Sequence, residues 1–312
     1  MILWATSLSR TSLLAQLDQG LKTHDTVVVR ADVRNRTWGE QALSRLRGWN
    51  GRVFAYIRGV GHYNYKAVAG DGYEWVCKQL IEHSGAGPLK HVNSGQIITH
   101  KDRYGNWYDA YTKPSQVPLR ELAKVTAALA YEKGLYDGFL IDGVSTWFIN
   151  SPDPMNSDYG PELNGQYKRI AQKQYACLTD FVRYVQMEIP GVKIVGNGSW
   201  EPMLVGVKPY RFQGWEPDPR FRWEYSSKPP LITPSKWMYL LDGAMDEDGA
   251  RVADRIPPYY HEGSPFQQGP RVSQTLSMHV QCAKDWLAVG KEYWVGGLAN
   301  ANAYPQGVQR IG

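Results

Sequence analysis

Short continuous apolar runs alternate with stretches of helical periodicity along most of the chain, and this rhythm constrains the fold more than any single motif. Ile2 to Thr6 reads as a first strand, and Leu13, Leu14 and Leu17 then recur at helical spacing behind Ser9 or Ser12, either of which can cap that helix. Thr26 to Val33 is a β-branched run ending in Arg30 and Asp32. Trp38 to Leu46 reads as helix, Arg52 to Gly59 as a third strand, and Asp71 to His83 as a helix with Trp75, Val76, Leu80 and Ile81 on its apolar face. Further strands are expected at Gly138 to Val144, Val192 to Gly198, Met238 to Met245 and Glu292 to Leu298. Helices opened by Pro118, Pro161 and Pro270 lie before the first, second and last of these, and Pro190-Gly191 stops the longest. Strand then helix, repeated, implies parallel strands joined by helical crossovers. A chain of 312 residues has room for one α/β barrel plus insertions.

Two segments break the rhythm. His91 to Tyr111 reads as an excursion with a turn at Tyr104 to Trp107, and Pro202 to Ser235 carries many prolines and aromatics. The expected organisation is a single domain over residues 1–312 with site-face insertions near 91–111 and 200–236. The chain holds 12 Trp and 20 Tyr, too many for a core alone, and a flat ligand such as a sugar explains the excess. Only seven strands are legible where a closed barrel needs eight, and the residues after Leu298 are too few for another helix and strand. The barrel is therefore expected to be incomplete or open at its C-terminal end. Its edge would be covered by the tail from Asn300 to Gly312 or by a neighbouring subunit of a homo-oligomer.

Composition excludes several classes. The net charge of +5 is spread along the chain without a Lys/Arg block, so no nucleic-acid partner is expected. No apolar run reaches the length of a membrane span, and Met1 to Arg10 lacks the order of a signal peptide. The expected location is the cytoplasm, or release by lysis or association with a virion. Cys77, Cys177 and Cys282 are far apart, each in a segment read as helix, which fits buried packing thiols better than a disulfide or a zinc site. There is no Gly-x-Ser-x-Gly elbow, and Gly59-Val60-Gly61 lacks the rest of a nucleotide-binding pattern, so no cofactor is expected.

The candidate chemistry centres on Asp142. Phe139, Leu140 and Ile141 form a glycine-bounded apolar run, and Asp142 stands at its C-terminal end, with Gly143 beside it and Trp147 and Phe148 shortly after. A carboxylate there can cap the next helix or tie down a turn. In a parallel barrel the same position faces the active site. A carboxylate beside an aromatic suits a sugar site, which needs a group for acid or base work and a face to stack on.

Three segments together resemble a family. Val53-Phe54-Ala55-Tyr56-Ile57, Tyr136-Asp137-Gly138-Phe139-Leu140-Ile141-Asp142-Gly143 and Asp242-Gly243-Ala244-Met245-Asp246-Glu247 follow the order of motifs in glycoside hydrolases related to the endo-α-1,4-polygalactosaminidases. The resemblance implies a (β/α)8 TIM barrel and catalytic carboxylates at Asp142 and Glu247. Glycoside hydrolysis needs two such groups flanking the scissile bond. Asp142 is the expected ionised partner and Glu247 the acid, because Asp246 or Asp248 disfavours a charge on Glu247. Adjacent residues of an extended Asp246-Glu247-Asp248 point to opposite sides, which argues against reading the trio as a metal site. Asp32, Tyr56, Arg58, Asn197 and Asp246 are candidate substrate-binding groups, and Trp147, Trp200 and Trp215 candidate stacking platforms; each also has a structural reading. Three functions remain open at this point. One is an endo-acting hydrolase of a polysaccharide or oligosaccharide. Another is a carbohydrate-binding module without turnover, of surface or phage-tail adhesion type. The third is a purely structural assembly protein, for which no aromatic-lined groove is expected.

Overall fold

Seven strands run parallel around a ring in chain order. They are β1 (Ile2–Ala5), β2 (Thr26–Arg30), β3 (Arg52–Arg58), β4 (Gly138–Asp142), β5 (Lys193–Asn197), β6 (Gly243–Asp246) and β7 (Glu292–Gly296). An eighth, β8 (Val308–Arg310), lies between β7 and β1, antiparallel to both, and closes the barrel. The structure, a computed structural model, describes residues 2–6, 9–58, 72–87, 90, 94–96, 99–101, 107–109, 116–142, 167–197, 203–205, 211–213, 216–218, 231–233, 236–246, 280, 282–296 and 308–310.

The expected gap after β7 is thus filled by the tail itself. Val308 pairs with both Ile2 of β1 and Gly296 of β7, so the edge for which a neighbouring subunit was a candidate is occupied. The count of seven strands is corrected to eight. The eighth unit departs from the repeating parallel pattern, because its strand returns in the opposite direction. Removing residues 300–312 should uncover both β1 and β7 and drive association through unpaired edges. Size-exclusion chromatography of the truncated chain should show larger species than the full chain does; an unchanged elution profile would contradict the closing role of β8.

The helices with described bounds are α1 (Arg10–Gly20), α2 (Gly39–Arg47), α3 (Tyr73–His83), α4 (Leu119–Val125) and α5 (Tyr167–Glu188), and residues 282–288 are helical as well. A π-helical turn, Thr126–Ala130, extends α4, and Arg34 and Asn35 donate to the carbonyls of Ala128 and Leu129 in it. Gly191 takes a left-handed conformation, φ 81°, just past α5, where the sequence called for a stop. Two expected boundaries move. The strand expected over Met238 to Met245 begins only at Gly243, after a 3-10 turn over Lys236–Tyr239. Helix α3 buries Tyr73, Glu74, Cys77 and Ile81, so Trp75 is turned outward at 38% exposure rather than inward. The i, i+4 spacing of Tyr73, Cys77 and Ile81 sets the buried stripe, and Trp75 falls off it. Within residues 91–111 and 200–236 the described backbone forms antiparallel pairs, Thr99–Lys101 with Trp107–Asp109, Met203–Val205 with Leu231–Thr233, and Arg211–Gln213 with Glu216–Asp218.

Alternation along the strands divides the core in two. Ile2, Val28, Phe54, Leu140, Val195, Met245 and Trp294 fill the barrel, with Trp4 and Tyr56 packed against them. The opposite faces, including Val27, Val29, Val53, Ala55, Ile57, Phe139, Ile141 and Ile194, meet the helices through Leu13, Leu17, Leu46, Cys77, Ile81, Leu122, Leu178 and Val182. The three cysteines are buried and form no disulfide, and burial pushes the Cys177 thiol up to about 12, which suits packing and not reactivity.

At the N-terminal end of the barrel, two Asp-Gly dipeptides do the same structural job. The Asp137 carboxylate accepts the backbone N–H of Val53 at 2.8 Å, and that of Asp242 accepts the N–H of Ile194 at 2.9 Å. Each aspartate staples its own strand to the preceding one. The glycine that follows permits close approach: a Cβ on Gly138 would stand 2.1 Å from the Lys193 carbonyl oxygen, and one on Gly243 3.0 Å from that of Glu292. Gly138→Ala must therefore push β4 from β5. The expected cost is about 1–3 kcal/mol, read as a lower urea midpoint at unchanged slope. A midpoint equal to wild type would show that the strands can part freely here.

Candidate active site

The C-terminal ends of β2 to β5 bring polar side chains together above the apolar barrel filling. Pairing sets Arg30 beside Tyr56, Tyr56 beside Leu140, and Arg58 beside Asp142. Asp142 thus lies between two strands that each present a donor to it. The Tyr56 hydroxyl donates to Asp142 Oδ2, and Asn197 Nδ2 donates to Asp142 Oδ1 at 2.8 Å. Asn197 is 7% exposed, and Asp142 and Tyr56 are half-buried. Both partners offer protons to an acceptor-only group, which matches a carboxylate at this position.

Tyr56 keeps its proton. Desolvation first, then the charge of Asp142, raise its ionisation well above the ordinary tyrosine value, with Arg58 and Arg30 opposing. Its ring meets Trp4 edge-on, with centroids 5.6 Å apart and planes at 74°, and Arg30 stands 5.8 Å from the ring centre.

Behind this group lies a charged cluster. Glu74, in the first turn of α3, receives Arg30 at 2.5 Å and stands 3.4 Å from Arg58 Nε. Asp32 accepts the backbone N–H of Glu74 at 3.0 Å and stands 3.5 Å from Arg30. Asp32 is 5% exposed, so its described bonds tie β2 to the start of α3. The cluster lies at the base of the mouth and sets where α3 begins.

Of the residues singled out in the sequence, Tyr56, Asp142 and Asn197 are in direct contact, and Asp32 and Arg58 join them through Arg30 and Glu74. Asp246 ends β6, where Met245 pairs with Asn197 of β5. Glu247, Trp147, Trp200 and Trp215 lie outside the described residues. Sequence reasoning missed Trp4 and Glu74. The phase of β1 could have found Trp4, since it shares the inward parity of Ile2. Glu74 left no signal, because it sits among the apolar positions of a helix. Among the described residues no group of three or more His, Cys, Asp or Glu could hold a metal ion, and no helix is long and apolar enough to cross a membrane.

A parallel α/β barrel with a carboxylate held at a strand's C-terminal end is the class of architecture that these elements define. No protein-family model matches the chain, and no curated protein matches it. Solved structures do resemble it. The glycoside hydrolase domain of PelA from Pseudomonas aeruginosa aligns over 96% of this chain and 94% of its own, at 15% identity and a TM-score of 0.37. The α-galactosidase TtGalA from Thermus thermophilus, in complex with stachyose, aligns over 94% of this chain and 52% of its own, at 12% identity and a TM-score of 0.48. A debranching enzyme from Nostoc punctiforme aligns over 88% and 53%, at 11% identity and a TM-score of 0.41. At these values they lend no residue roles to this chain.

Proposed function

We propose that the chain is a glycoside hydrolase acting within a polysaccharide, with Asp142 as the ionised carboxylate and Glu247 as the acid. The observation that carries this reading is the setting of Asp142: a half-buried strand-end carboxylate with a donor on each oxygen. A group held in this way has a fixed direction of attack or charge stabilisation, as nucleophile or base. Glu247 is proposed as the acid because its sequence neighbours Asp246 and Asp248 disfavour a charge on it. Trp147, Trp200 and Trp215 are proposed as stacking platforms along the polymer, and Asp246 as a further substrate-binding group.

The test is a panel of polysaccharides read by reducing-end release, with wild type, Asp142→Asn and Glu247→Gln. An aryl glycoside with a good leaving group needs little proton donation. It should restore much of the activity of Glu247→Gln and little of that of Asp142→Asn, since loss of general acid catalysis costs about 10²–10⁴-fold on a poor leaving group. Equal rescue would void the assignment of roles. Binding without any release across the panel would favour an adhesion module on the same scaffold.

A further inference from the structure

The Tyr56 side chain has the look of a sugar-binding group, since it is aromatic, half-buried and at a strand end. Its surroundings point elsewhere. Asp142 stands on β4 with β3 on one side and β5 on the other, and each neighbour holds one carboxylate oxygen. From β5 the holder is Asn197, and from β3 it is Tyr56. The ring of Tyr56 is in turn fixed from two further strands, edge-on by Trp4 of β1 and across its face by Arg30 of β2. Arg30 is itself anchored by Glu74 and Asp32. A chain of contacts therefore runs from the first turn of α3 through Arg30 and Tyr56 to the carboxylate.

We infer that Tyr56 is a positioning residue, which fixes the Asp142 carboxylate through its hydroxyl and does not serve as a substrate contact. A phenol has one proton, and here it is given to Asp142 Oδ2, so none remains to donate to a sugar. Desolvation and the Asp142 charge keep that proton on the oxygen, which fixes the direction of donation. The clamp removes the rotation that a lone aspartate at a strand end would otherwise have. Misplacement of a reacting group by about 1 Å can cost about 10²-fold in rate, so the clamp acts on turnover and not on affinity. The catalytic part of this inference rests on the role proposed for Asp142; the structural part does not.

The experiment has two arms. Proton NMR should show a slowly exchanging, far-downfield phenol signal in the wild-type protein, as a charge-assisted O–H···O⁻ bond requires. The signal should vanish in Tyr56→Phe and also leave the far-downfield region in Asp142→Asn, where the hydroxyl faces an amide NH2 and has no charged acceptor. A signal that survives Tyr56→Phe, or that ignores Asp142→Asn, would overturn the clamp. Incorporating 3-fluorotyrosine at position 56 keeps the ring and sharpens the donor, so the signal should move further downfield even if the phenylalanine variant folds poorly. The second arm is hydrolysis of a 4-nitrophenyl glycoside of the sugar that the panel selects. In Tyr56→Phe, kcat should fall by roughly 10- to 100-fold with KM nearly unchanged. A raised KM at constant kcat would make Tyr56 a substrate contact and defeat the inference. Full hydrolysis by Asp142→Asn would remove Asp142 from catalysis while the NMR arm still decides whether Tyr56 holds it.

Discussion

Replacing Asp142 by asparagine is expected to lower polysaccharide turnover by at least about 10²–10⁴-fold while the fold survives. The two halves of that statement have different causes. Activity is lost because an amide can neither attack, nor accept a proton, nor stabilise positive charge as a carboxylate does. The fold survives because the substitution preserves shape and nearly preserves the bonding. Asparagine offers one oxygen and one NH2 where aspartate offers two oxygens. Asn197 can still donate to the oxygen, and the Tyr56 hydroxyl can turn to accept from the NH2. What is lost is the extra strength of bonds to a charged group, which is about 1 kcal/mol apiece. Near-ultraviolet circular dichroism should match wild type while reducing-end release disappears. Turnover at the wild-type level would sink the assignment.

Glu74→Ala should be among the most destabilising single changes at the barrel mouth, costing about 3–5 kcal/mol. Glu74 has only 8% of its side chain exposed, and the two guanidinium groups that it faces, those of Arg30 and Arg58, have 15% and 14%. Removing the carboxylate takes from two largely buried guanidinium groups the acid that they share. The contrast is with the bridge from Arg47 to Glu40, whose side chains are 40% and 69% exposed. Water already solvates that pair, and its loss should cost far less. Urea midpoints for Glu74→Ala and Glu40→Ala, measured side by side, decide the matter. Equal small losses would mean that water reaches the inner cluster.

The parallel strands were legible because each is a continuous apolar or β-branched run, Val27 to Val29 and Phe139 to Ile141 being the plainest. Their ends were legible too, since the change from apolar to polar at Arg30, Asp142 and Asn197 marks where the sheet meets the mouth. β8 was not. Val308, Gln309 and Arg310 form too short and polar a run to stand out, and their place is secured by backbone pairing with β1 and β7. The Asp-Gly dipeptides were legible as pattern and not as purpose. Asp137 and Asp242 carry much of the family resemblance, yet their carboxylates hold neighbouring backbone at the end of the barrel away from Asp142. Glu74 could not be read because its role depends on Arg30 and Arg58, which reach it from other strands.

The closing position of β8 bears on how the chain is made. Ile2 cannot meet Val308 until all the residues between them have left the ribosome. Strands β1 to β7 can form side by side as they emerge, since each finds its partner in the one before it. Throughout that time two open borders persist, one on β1 and one on β7, and contacts so distant in sequence form slowly. A nascent chain of this design has a vulnerable interval that ends only when β8 is in place, and until then aggregation competes with ring closure. Its yield in a cell should therefore depend on the rate of translation and on chaperone supply more than its finished stability would suggest.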